Sequence, residues 1–84
     1  MAFYVKKPIP VEAIQIHNNA EEIQNFIGNN GSAINDTHCT LVTINTIEGT
    51  MSATDGAYII KGVAGEFYPC AKDIFESTYE EVKE

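Results

Sequence analysis

The chain contains no arginine. Its five cations are all lysines, Lys6, Lys7, Lys61, Lys72 and Lys83, set against twelve carboxylates for a formal net charge of −7. Arginine supplies the planar, two-pronged grip on phosphate and guanine, and backbone affinity needs clustered positive charge. A conventional nucleic-acid binder is therefore disfavoured. Long apolar runs are also missing, with nothing near the ~18 continuous residues of a membrane helix. The opening MAFYVKKPIP has two lysines but no apolar stretch of an export signal behind them. Cysteine is limited to Cys39 and Cys70. Two are too few for a disulfide framework, so reduced thiols in a cytoplasmic protein are expected. No phosphate loop, dinucleotide fingerprint or nucleophile elbow occurs.

What remains is 84 residues, 44% of them apolar, enough for one domain spanning residues 1–84. A chain this short buries only about 60–65% of its extended surface, so the core is small and deep cavities are not expected. The −7 charge falls in the ~2–8 range that keeps small domains soluble. The same charge also suits an acidic surface to a basic groove on another protein.

Along the chain, Pro8 and Pro10 make residues 3–10 an edge or extended arm, and residues 11–17 form the better strand. Asn19 then precedes Ala20-Glu21-Glu22, with Glu22 placed to complete a capping box. Ile23, Phe26 and Ile27 share one helical face and Gly28 ends it, which predicts a helix over 20–27. Residues 28–38, rich in asparagine and glycine, read as a loop. Four strands follow, at 41–47, 50–53, 57–61 and 66–70, joined by turns at Glu48-Gly49, Asp55-Gly56 and Gly62–Gly65. The expected fold is α+β: a small antiparallel meander packed against one short helix, with a short C-terminal helical turn around Asp73–Ser77. Thr78–Val82 alternates well enough for a last strand, and Ile74, Phe75 and Tyr79 are the expected anchors of the tail. The strand from Phe3 and the tail strand at Thr78 would be open edges, through which a homo-oligomer could form.

The segment Thr54 to Val82, TDGAYIIKGVAGEFYPCAKDIFESTYEEV, resembles a widespread family of small phage and prophage proteins, and the opening KKPIPVEAIQ is similar to that family's N-terminus. The resemblance covers both ends of the chain and leaves the middle variable. It implies a product made inside a bacterium and brings no established activity with it. The family pattern Gly-Asp-Tyr is Gly56-Ala57-Tyr58 here, and Lys-Pro-Asp is Ala71-Lys72-Asp73. Loss of that aspartate favours a structural or binding role for the motif.

Catalytic sets are sparse. Cys70 with His17 or His38 is the only nucleophile and base combination, and a small sheet gives it little shelter. Cys39, Cys70, His17 and His38 would suffice in number for zinc, but their spacing lacks the paired pattern of a structural site. Glu21/Glu22 and Glu80/Glu81 look like solvated ends rather than an acid/base pair. No catalytic residue, metal or cofactor is therefore assigned. Two readings of the phage-like motif stay open. In one, Phe67, Ile59 and Phe75 fill the core and Tyr58 and Tyr68 are half-buried packing. In the other, Tyr58, Lys61, Glu66 and Tyr68 frame a shallow polar and aromatic binding site beside Cys70. Glu76, Glu80, Glu81 and Glu84 form an acidic face in the tail. Together these features suggest a non-enzymatic phage accessory protein in the host cytoplasm. It would act by stoichiometric binding of a host protein with a basic groove, such as a defence nuclease, as an anti-defence, anti-CRISPR-like inhibitor. The alternatives are a small-ligand binder that sequesters a nucleotide signal, and a minor structural part of the virion.

Overall fold

The computed structural model describes residues 1–5 and 8–82. In chain order it contains β1 (Glu12–Gln15), α1 (Ala20–Ile27), a 3₁₀ turn (Gly28–Asn30), β2 (Gly31–Asn35), β3 (Thr40–Thr46), β4 (Gly49–Ala53), β5 (Tyr58–Lys61), β6 (Phe67–Cys70) and α2 (Lys72–Thr78). The fold is α+β, and every strand pairing is antiparallel. The strands form two three-stranded sheets, ordered β1-β5-β6 and β2-β3-β4, rather than one four-stranded meander.

The division of the sheets occurs at Asp55-Gly56. A hairpin there would return the chain along β4, but the Gly56 amide donates to the Ile16 carbonyl at 2.9 Å and the Ile16 amide donates to the Ala57 carbonyl at 2.9 Å. These two bonds hand the chain to the end of β1, so β5 pairs with β1 and β4 remains an edge of the other sheet. A second departure lies in residues 31–35, expected as loop. They form β2, with Ser32 opposite Thr43 and Ile34 opposite Leu41.

Helix α1 begins and ends where the periodicity places it, but its N-terminus is held differently. The Asn19 carboxamide faces back along the chain: Oδ1 accepts from the His17 amide at 2.8 Å, while Nδ2 donates to the Gln15 carbonyl and to Glu22 Oε1, both at 3.0 Å. The Ala20 amide is met from β2 by Asn35 Oδ1 at 3.3 Å. Gln24 secures the other end, donating to the Gly28 and Gly31 carbonyls and accepting from the Ala33 amide at 2.9 Å. The helix is thus tied to the strand that composition hides.

The core lies between α1 and the facing sides of the two sheets. Ile16, Ile23, Ile27, Val42, Ile44 and Ile59 are fully buried, and Phe67 is nearly so. Phe26 meets Phe67 edge to face at 5.3 Å. Phe75, expected in this core, is half-buried elsewhere, and Ile74 is 57% exposed and anchors nothing. Thr78 closes α2 and residues 79–82 form no strand, nor do residues 1–5 or 8–10, so neither expected open edge is found among the described residues.

Candidate functional site

The outer face of the β1-β5-β6 sheet follows from strand alternation and register. Tyr58 and Ile60 of β5 point to the side away from Ile59, and they are flanked by Cys70 and Tyr68 of β6 and by Gln15 and Ala13 of β1. Ile60 is fully buried although it faces away from the main core, so this second face is covered. The cover is α2. Its Phe75 ring stacks on Tyr58 with centroids 3.9 Å apart and planes 14° from parallel, and Tyr79 stacks on Phe75 in turn at 4.9 Å. Tyr79 is the C-cap of the helix, its amide donating to the Phe75 carbonyl at 2.8 Å, which keeps the two residues side by side. The Tyr58 hydroxyl donates to Glu76 Oε2 at 3.1 Å, fixing the polar end of the stack.

Residues Pro8 to Val11 form the opposite wall. Between them and the stack runs a groove of about 810 Å³, with Glu76, Glu80 and Glu81 along its rim. A second depression of about 710 Å³ shares Pro8, Ile9, Val11, Thr78 and Tyr79 with the first and reaches Glu66 and Tyr68. The two meet at Tyr79. The two are continuous and open to solvent, a surface groove rather than an enclosed pocket.

Both sheet tyrosines resist ionisation. Desolvation raises the Tyr58 pKa first, and the hydrogen bond to Glu76 and its charge add to the rise. Tyr68 is pushed up to about 12, chiefly by desolvation, then by the Tyr79 hydroxyl beside it, with Glu66 and Cys70 contributing. These phenols are neutral hydrogen-bonding groups at physiological pH. They are not poised as bases.

Of the four residues expected to frame a site, Tyr58 and Tyr68 share this face. Lys61 does not. It lies in register with Glu12 and Phe67 and points to the other side of the sheet. Glu66 is exposed at the end of the β5–β6 turn, where its Oε1 accepts from the Ala64 amide at 3.2 Å and occupies the space a Cβ at Gly62 would need. Its first role is to hold that turn, although it also borders the second depression. Cys70 is a half-buried free thiol, as is Cys39, and His17 and His38 are exposed. Among the described residues no three His, Cys, Asp or Glu side chains converge where a metal ion could be held. Glu76, Glu80 and Glu81 come together on the groove rim, and Glu84 lies outside the described residues. Phe75 and Tyr79 were legible only as anchors, and the wall from Pro8 to Val11 carried no site signal at all.

No helix among the described residues is long and apolar enough to cross a membrane. No protein-family model, curated protein or solved structure matches the chain.

Proposed function

We propose that this chain is a non-enzymatic phage accessory protein that binds a basic host protein in the bacterial cytoplasm, a defence nuclease being the fitting type of target. The phage context rests on the resemblance carried by Tyr58–Val63, Gly65–Cys70 and Asp73–Phe75. The single observation that supports the binding surface is the aromatic-floored groove with three carboxylates on its rim, in a chain of net charge −7 without arginine.

The groove is concave, so the complementary piece is a protruding lysine- or arginine-bearing segment of the partner. Such side chains lay their apolar stems on aromatic rings and keep their charged heads at the edge, where Glu76, Glu80 and Glu81 stand. Exposed ion pairs contribute only ~0.2–1 kcal/mol each, so three of them cannot carry tight binding. They set encounter rate and selectivity. Affinity falls to buried aromatic anchors, whose truncation typically costs about 2 kcal/mol or more. Tyr79, between the two depressions, is the best placed anchor.

Capture from a bacterial lysate tests this reading. The expected outcome is one predominant basic protein, retained near one-to-one at low salt and released as salt rises. Recovery of no such partner, or of one that salt does not release, would sink it.

A further inference from the structure

We infer that the N-terminal arm of one copy of this chain occupies the groove of a second copy, giving an arm-exchanged dimer. The inference rests on the reading of the groove as a receptor for basic, apolar segments, and it names one such segment in the chain itself.

Four phenylalanines and four tyrosines occur in the sequence. Six of these eight rings are buried or half-buried. The other two, Phe3 and Tyr4, are 90% and 91% exposed, and their neighbour Val5 is 93% exposed. Consecutive apolar side chains left this bare indicate a surface that is covered in another state. The whole molecule shows the same feature: its radius of gyration is 13.8 Å with a longest dimension of 50 Å, against ~12 Å expected for a compact chain of this length.

The charge pattern selects the occupant. Two copies at −7 each repel through most surfaces. The arm is the exception, since Lys6-Lys7 is the only adjacent pair of lysines in the sequence and residues 1–11 include no carboxylate. It would meet the rim of Glu76, Glu80 and Glu81. Geometry permits the exchange. The root of the arm, Pro8 to Val11, is already a wall of the groove, so the arm emerges beside the place where a partner's arm would enter. Pro10 restricts Ile9 to extended conformations and Pro8 fixes its own φ, which stiffens the root against folding back into its own groove. A segment of seven residues spans at most ~23–25 Å when extended, a reach that suits exchange between adjacent copies. Reciprocal exchange closes the assembly at two copies.

Sedimentation velocity on the full chain, over a concentration series at low and high salt, reads this directly. The wild type should dimerise, with the dimer weakened by salt. Phe3→Ala/Tyr4→Ala should weaken it by about tenfold or more, with an unchanged circular dichroism spectrum. Glu80→Lys/Glu81→Lys should do the same, and adding Lys6→Glu/Lys7→Glu to that variant should restore the dimer. A wild type that stays monomeric throughout, or a dimer indifferent to Phe3→Ala/Tyr4→Ala, overturns the inference. Either result leaves capture of a host protein untouched. If arm and host protein share the groove, the Phe3→Ala/Tyr4→Ala variant should capture that protein at least as well as the wild type.

Discussion

Gly31 opens β2 where a side chain has nowhere to go: a Cβ there would collide with the Thr43 carbonyl oxygen. The obstruction is backbone, so it cannot swing aside. Gly31→Ala should cost about 1–3 kcal/mol, read as a lower denaturant midpoint at unchanged slope. Tyr68 governs a different response. It titrates at about 12 in the folded chain, against 10.0 for an ordinary tyrosine. Between those values the folded state keeps a proton that the unfolded chain has lost. Stability from this group is therefore whole below pH 10 and falls as pH rises toward 12, with Tyr58 shifted in the same direction. Thermal unfolding across that range should show the decline, and Tyr68→Phe should flatten it. A Tyr68→Phe profile as steep as the wild type would contradict the assignment.

At the scale of elements, α1 was legible because Ile23, Phe26 and Ile27 recur at helical spacing and nothing downstream competes with them. Strand β2 was not legible. Its sequence, GSAIN, has only Ala33 and Ile34 to carry a pattern, and Ile34 faces outward at 60% exposure. What makes it a strand is pairing with β3 and the Gln24 and Asn35 side chains, all of them tertiary effects. Gln24→Ala strands the Ala33 amide and should cost about 1–3 kcal/mol, with faster amide exchange in β2. The split of the sheets was hidden for a related reason: Asp55-Gly56 has good local turn chemistry, and only the distant Ile16 decides which strand the chain joins. Helix α2 was half visible, as a turn around Asp73–Ser77. Seven residues are too few to hold a helix alone, so the ring stack must seat it. Phe75→Ala should release α2, shown by loss of protection there with α1 unaffected. The stack contributes about 0.5–1.5 kcal/mol beyond its burial.

For the whole molecule, the candidate site joins three distant parts of the chain: the root of the arm, β5–β6 and the tail. Tyr58, Tyr68 and the acidic tail stand out in the sequence because each has a local signature. Alternation along β5 already sets Tyr58 and Ile60 against Ile59 and Lys61, so a site that groups Lys61 with Tyr58 runs against the strand period, and the tail carboxylates read as a solvated face because nothing local says that α2 packs on Tyr58. Closure of these parts turns a dispersed acidic charge into a rim around aromatic rings. The most direct test is a titration of the captured, purified host partner against wild type, Tyr79→Ala and Glu76→Gln/Glu80→Gln/Glu81→Gln, repeated over a salt series. Tyr79→Ala should weaken binding by about tenfold or more at every salt concentration. The triple variant should lose most of the salt dependence, chiefly through slower association. Equal affinity and equal salt slope for all three proteins would show that the partner binds elsewhere and would contradict the assignment of the groove.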